Sequence, residues 1–327
     1  MASTKGVQSV IFCMEHTRQL DSIQLDSCVL TIGSFDGVHL GHKALVQRAV
    51  KHAKRYKIPS VVLTFFPHPS VILRDRQPAF YISSPDEKAI LLGNLGVDHV
   101  ITQKFSRKLS SMRASDFLDE LQSHLNPRVI CIGEDFTFGY HREGNRRFLE
   151  KSGALRGFQV EVQPPILVGG EVVSSTRVRE ALRTGDVTRV ETYLGKPFII
   201  PGQVIRGASR GKSIGFPTAN LKLWEERAYP RQGVYACFAR LDEQEWLSVT
   251  NIGVRPTFDE DHNTAIVETH LLDFDGDLYG KEIELAFIRR LRDEQRFSSV
   301  DALKVQITRD VDKARTILQE RVRGNDE

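Results

Sequence analysis

Two histidines three residues apart, His39 and His42, close the stretch Thr31-Ile32-Gly33-Ser34-Phe35-Asp36-Gly37-Val38-His39-Leu40-Gly41-His42. Imidazoles in such a turn donate hydrogen bonds to phosphate oxygens as charge develops there. A metal site is the weaker reading, since the spacing is not His-Glu-x-x-His and no third ligand stands nearby. A second cluster is Ser174-Ser175-Thr176-Arg177-Val178-Arg179. Hydroxyls at a helix start usually cap it. Two arginines in the same turn oppose the helix dipole, a cost that an anion would offset. The cluster therefore reads as a triphosphate grip, at the β- and γ-phosphates.

A third cluster, Arg206 to Asn220, is basic and glycine-rich. Its Gly211-Lys212-Ser213 is not a Walker A loop: Gly207 is one residue too close, and Pro217 would break the helix that follows one. Thr218 and Asn220 are oxygen donors suited to Mg²⁺, directly or through water, although Pro-Thr-Asn is also turn chemistry. The last candidate is Glu268. On a strand it shares a face with Ile266, His270 and Leu272. A carboxylate among apolar neighbours either has a partner, such as Arg255, or does chemistry, and the residues alone leave both open.

The elements needed to position these groups are legible. The apolar run Cys28–Ile32 reads as a buried strand. Lys43–Lys57, with Leu45, Ala49, Ala53 and Tyr56 at helical spacing, reads as the helix after the turn. Gly33, Gly37 and Gly41 let the backbone between them turn tightly and approach a ligand. Strands are expected at Val61–Phe65, Val97–Thr102 and Arg128–Ile132. Ser84-Pro85-Asp86-Glu87 carries a capping box, and Ser115–Leu125 has one apolar face. Phe66-Pro67-His68-Pro69 is expected to be a loop. This alternation predicts a parallel sheet covered by helices, with ligands at the carboxyl ends of its strands. After Gly195-Lys196-Pro197 the helical patterns give way to short strands, at Gly202–Arg206, Gly233–Leu241, Trp246–Ile252, Ile266–Phe274 and Ile283–Ile288. They predict an antiparallel barrel or sandwich. A final helix, Val300 to about Val322, should pack on it through Val300, Leu303, Ile307, Val311, Ala314 and Leu318.

A chain of 327 residues suits two domains, divided as 1–195 and 196–327. A formal charge of +3 demands no nucleic-acid partner. The basic runs Lys51–Lys57 and Arg289–Arg292 read as solvated edges. The four cysteines, Cys13, Cys28, Cys131 and Cys237, are scattered and fit a reducing compartment. With no signal-peptide pattern and no long apolar run, a cytoplasmic protein is expected.

The histidine motif and Ser-Ser-Thr-x-x-Arg resemble the two signatures of the nucleotidylyltransferase superfamily, in their usual order. Gly215-Phe216-Pro217-Thr218-Ala219-Asn220 resembles the riboflavin kinase signature. Gly233-Val234-Tyr235, Asn251 to Phe258 and Glu268 to Phe274 fit that family in order. The combination is similar to the prokaryotic bifunctional riboflavin kinase/FMN adenylyltransferase (FAD synthetase) family. The resemblance implies a Rossmann-like domain followed by a β-barrel kinase domain, with ATP, Mg²⁺, riboflavin, FMN and FAD as ligands. It implies Glu268 as the kinase base and His39 and His42 as the groups that steady the α-phosphate. Gly33, Phe35, Asp36, Gly41, Ser175, Thr176, Arg179, Gly211, Lys212 and Gly215 would bind ATP or its phosphates. Pro67, His68, Asp135 and Arg296 would contact flavin, and Thr218 and Asn220 the metal. No membrane or nucleic-acid partner is implied, and oligomeric state is not readable. Three positions depart from the family pattern: Ser34 for Asn, Asn145 for Asp and Thr269 for Val.

Overall fold

The structure, a computed structural model, describes residues 14–74, 80–207, 214–255 and 264–324. The chain divides into two compact units: Met1–Gln77 with Ser83–Val173, and Pro78–Ile82 with Ser174–Glu327.

The first unit is built on six parallel strands. These are β1 (Glu15–Thr17), β2 (Cys28–Ile32), β3 (Ser60–Phe66), β4 (His99–Lys104), β5 (Pro127–Gly133) and β6 (Gln159–Gln163), in the order β1-β4-β3-β2-β5-β6. Every residue of β2 is buried, as a parallel strand covered on both faces requires. Its alternate side chains feed two separate cores. Cys28, Leu30 and Ile32 join Phe117, Leu121 and Leu125; Val29 joins Val46, Ala49 and Leu92. The helices that cover the sheet include α1 (Leu40–Tyr56), α3 (Pro85–Gly93), α5 (Ala114–Leu125) and α6 (Arg146–Arg156); the unit also holds the short α4 (Arg107–Ser110) and an antiparallel pair, β7 (Leu167–Val168) with β8 (Glu171–Val172). From β2 the chain builds outward through β3 and β4, then returns to place β5 and β6 on the other side. The strand order therefore reverses beside β2, and the loops after β2 and β5 flank the crevice in which such sheets bind ligands.

The second unit holds an antiparallel barrel closed by β9 (Phe198–Ile205), β10 (Ala219–Leu221), β11 (Gly233–Leu241), β12 (Gln244–Arg255), β13 (Thr264–Leu271) and β14 (Glu282–Arg292). Closure settles the choice between barrel and sandwich. α7 (Ser175–Thr184), α8 (Val187–Leu194) and α9 (Val300–Arg323) belong to this unit. Ala314 and Leu318 of α9 pack on Val234, Ala236, Phe238 and Leu291. The expected stripe is not buried along its whole length, for Val300 is exposed. Near its middle α9 buries Asp310 instead, held by two nitrogens of Arg292 and by Gln306.

Two other expectations change. Pro69 does not prolong a loop; it opens a short helix, α2 (Pro69–Arg74), where a missing N–H costs nothing. The strand expected at Gly202 starts four residues earlier at Phe198, with Pro201 standing in the ladder opposite Glu284. No described helix is long and apolar enough to cross a membrane.

Candidate active sites

The turn after β2 is shaped by three residues of positive φ. Phe35, Gly37 and Val38 all take left-handed backbone angles, with φ of 49°, 77° and 43°. Such an angle is costly for a β-branched residue, so the surroundings must impose it. Asp36 accepts the Ser83 N–H at 3.2 Å, and the Ser83 hydroxyl accepts the Gly37 N–H at 3.1 Å. Of the three glycines expected to relax the backbone, only Gly37 does so. Gly33 and Gly41 supply space: a Cβ at either would stand 3.1 Å from the ring of Phe35 or His39 respectively.

His39 caps α1, its Nδ1 accepting the His42 N–H at 3.3 Å. A ring nitrogen that accepts carries no proton, so neutral His39 is protonated at Nε2. The two imidazoles stack with centroids 3.6 Å apart, and Phe35 packs edge-on against His42. α1 has no acidic residue in its first turn. The helix N-terminus and the histidine pair therefore offer several donors to one anion.

One contributor escaped the sequence reading. Lys88 is buried, and its Nζ donates to the carbonyls of Ser34 (3.0 Å) and Phe65 (3.3 Å). It joins the turn after β2 to the end of β3, just before Pro67 and His68. The capping box at Ser84 and Glu87 forms as expected and fixes the helix that carries it. The Ser34 carbonyl also accepts the Thr64 hydroxyl. Main chain thus does the bonding at residue 34, which explains why serine is accepted there.

Ser174 caps α7, accepting the Arg177 N–H, which leaves Ser175 and Thr176 in the first turn. Arg179 donates from Nε to the Phe80 carbonyl at 2.8 Å. Asp135 is exposed and lines a shallow cavity of about 630 Å³ with Phe136, Thr137 and Asn145. Asn145 caps α6 by accepting the Phe148 N–H, a bond aspartate also makes. Arg296 is exposed in the loop between β14 and α9. Gly211 and Lys212 lie outside the described residues.

In the barrel, β13 sets Glu268 in register between Asn220 of β10 and Asn251 of β12. Val267, Thr269 and Leu271 point to the buried interior; Glu268 occupies the half-exposed face with Ile266 and His270. Leu272, expected on that face, lies beyond the end of the strand. Ile266 and His270 share that face as expected, and across the strands Glu268 stands opposite two amides. Arg255 stands in register with Thr264. His270 Nδ1 lies 2.7 Å from the Pro217 carbonyl and its ring meets Phe216, which fixes the Gly-Phe-Pro-Thr-Ala-Asn segment to the same strand. A Cβ on Gly207 would lie 2.1 Å from the Asn220 amide nitrogen, so glycine there makes room for that amide. Thr269 replaces valine at no cost, because its hydroxyl bonds Thr250 at 3.0 Å inside the barrel.

A histidine turn beside the switch point of a parallel sheet, and a barrel strand presenting a carboxylate between two amides, define a two-domain enzyme of phosphate transfer. The family models described as FAD synthetase and riboflavin kinase match residues 21–177 and 194–318. The chain is 40% identical over 291 residues to the bifunctional riboflavin kinase/FMN adenylyltransferase of Pseudomonas fluorescens, covering 89% of this chain and 93% of that one. The protein of the same description from Escherichia coli K12 is also 40% identical, over 87% and 91%. A crystal structure described as a macrolide-efflux protein from Streptococcus pneumoniae superposes with a TM-score of 0.84 at 31% identity, covering 93% of this chain and 99% of that one. The chain belongs to the bifunctional riboflavin kinase/FMN adenylyltransferase family. Its two domains stand in the order the motifs indicated.

Proposed function

We propose that this chain makes FAD from riboflavin in two ATP-dependent steps, each carried out by its own set of site residues. The observation that carries the kinase half is the register of Glu268 opposite Asn220. The ribityl 5′-hydroxyl oxygen attacks the γ-phosphorus, the bond to the bridging oxygen breaks and ADP leaves. Glu268 takes the hydroxyl proton. Most of the remaining catalysis is positioning and charge stabilisation, the task of Gly211, Lys212, Thr218 and Asn220.

Mg²⁺ fits the donor set. Thr218 and Asn220 offer a hydroxyl and an amide oxygen, and the absence of a side chain at Gly207 lets the Asn220 amide sit there, where a Cβ would collide with it. Mg²⁺ is commonly held by few protein oxygens together with substrate phosphates. When bound it would neutralise phosphate charge.

In the second step a phosphate oxygen of FMN attacks the α-phosphorus of a second ATP, and pyrophosphate leaves. That phosphate is already ionised near neutral pH, so no base is required. Donation from His39 and His42 meets the charge growing on the α-phosphate. Ser175, Thr176 and Arg179 hold the departing pyrophosphate. Pro67, His68 and Asp135 line the flavin side of this reaction, and Arg296 that of the kinase. The functional boundary falls at 195/196.

Small molecules are the only partners this reading needs. The arginine run of β14 is engaged within the barrel unit, Arg290 with Asp293 and Arg292 with Asp310, which argues against nucleic acid. Cys28, Cys131 and Cys237 are buried free thiols, pushed up to about 12 by burial, and support a reducing, cytoplasmic setting. The test is to incubate the pure protein with riboflavin, ATP and Mg²⁺ and separate the flavins. FMN should rise first and FAD follow. FMN alone, or inert riboflavin with conversion of added FMN, would reduce the protein to one activity.

A further inference from the structure

Phe80, Tyr81 and Ile82 form a strap within the barrel unit, and its partners come from two parts of the chain. On one side it meets the turn between β10 and β11. The N–H groups of Phe80 and Tyr81 both donate to the Glu226 carbonyl, at 2.8 and 2.9 Å, and the Ala228 N–H donates to the Tyr81 carbonyl at 2.8 Å. The Tyr81 ring stacks on Trp224 with centroids 5.3 Å apart. Arg227, only 3% exposed, donates to the carbonyls of Ile82 and of Ile199 in β9, each at 3.4 Å. A buried guanidinium is tolerated only when its donors are matched, so Arg227 locks the strap to a barrel strand.

On the other side the strap holds Arg179 of α7. Nε donates to the Phe80 carbonyl, and the guanidinium carbon lies 3.8 Å from the centroid of the Phe80 ring. A hydrogen bond in the guanidinium plane and a ring against its face together fix both the position and the tilt of a planar group. The turn that fixes the strap lies in the span matched by the riboflavin kinase model, 194–318. Arg179 belongs to the adenylyl-transfer motif.

We propose that the Trp224–Ala228 turn of the kinase half is a positioning element for Arg179 in adenylyl transfer, a role that rests on the pyrophosphate grip assigned to that arginine. Adenylyl transfer then depends on residues that touch neither flavin nor nucleotide. Loosening the strap lets the guanidinium swing, and displacement of a positioning group by about 1 Å can cost orders of magnitude.

The experiment uses the full chain with Trp224→Ala, Trp224→Phe, Tyr81→Leu or Arg179→Ala. The readout is the reverse reaction, FAD with pyrophosphate giving FMN and ATP, with riboflavin phosphorylation measured on the same samples. Trp224→Ala and Tyr81→Leu should raise the KM for pyrophosphate about ten-fold, with the KM for FAD and the kinase rate changed by less than about two-fold. Trp224→Phe keeps a stacking ring and should restore the wild-type value. An unchanged pyrophosphate KM in Trp224→Ala and Tyr81→Leu, beside a raised one in Arg179→Ala, would overturn the positioning role alone. An unchanged value in Arg179→Ala would remove the grip itself, and the positioning role with it. Parallel loss of kinase activity in Trp224→Ala and Tyr81→Leu would mark a merely structural contact and also overturn the proposal.

Discussion

Replacing His42 by alanine removes one donor from the turn after β2 while leaving His39 as the cap of α1. By analogy with the loss of a single oxyanion donor, FMN adenylylation should slow by about 2.7–4 kcal/mol in barrier height. Riboflavin phosphorylation should stay at its normal rate, and the pair of initial rates measured on one preparation checks both. Glu268→Gln is the mirror case. It keeps the size of the side chain beside Asn220 and Asn251 and removes the base, so FMN formation should fall by about 10²–10⁴. FMN-to-FAD conversion should persist; its loss in a folded protein would defeat the assignment. His39 and His42 stood out as candidates because their spacing puts both at one helix entrance, whereas strand parity only placed Glu268 on a face away from Val267 and Thr269, and the family resemblance alone pointed to its role. Asn251 and Lys88 did not stand out. The former depends on register between strands, the latter on which helix packs beneath which loop, and neither quantity is local in sequence.

The elements act through their ends. α3 carries Lys88 to the carbonyls of Ser34 and Phe65, and burial lowers the lysine from its ordinary 10.5 to about 8, with Asp36 partly offsetting the shift. The folded protein therefore releases this proton at lower pH than the unfolded chain. Between about pH 8 and pH 10.5 the unfolded state binds more protons, so this group makes stability rise with pH across that window and contributes no slope well below it. Lys88→Met deletes the effect and leaves the Phe65 carbonyl without this donor, at a cost of about 1–3 kcal/mol. The stability difference in favour of wild type should thus widen between about pH 7.5 and about pH 9.5 in urea unfolding, and an unchanged difference would reject it. Element boundaries were readable where a local signal marks them. Cys28–Ile32, Gly233–Leu241 and the Ser84 capping box needed no revision. β1, β6, β10, α6 and α8 were among the elements that went unread, three of them strands of three to five residues whose hydrophobic pattern is too short to register.

At the scale of the molecule, two sites with different chemistries share one chain and one intermediate. If the machinery of each is confined to the residues assigned, damage at one site leaves the other intact. A mixture of two defective proteins should then do what neither does alone. His42→Ala retains Glu268, Thr218 and Asn220 and converts riboflavin to FMN, which accumulates. Glu268→Gln retains His39, His42 and Arg179 and converts FMN to FAD, but it receives none from riboflavin. Mixed with riboflavin, ATP and Mg²⁺, the pair should form FAD after a lag in which FMN appears free in solution. Because that FMN must diffuse from one protein to the other, the lag should lengthen on dilution of both. The wild-type chain at equal concentration sets the comparison. Chromatography of the flavins over time reads all three. Failure of the mixture, with Glu268→Gln active on added FMN, would mean that FMN formed by His42→Ala stays bound and is not released to the other protein.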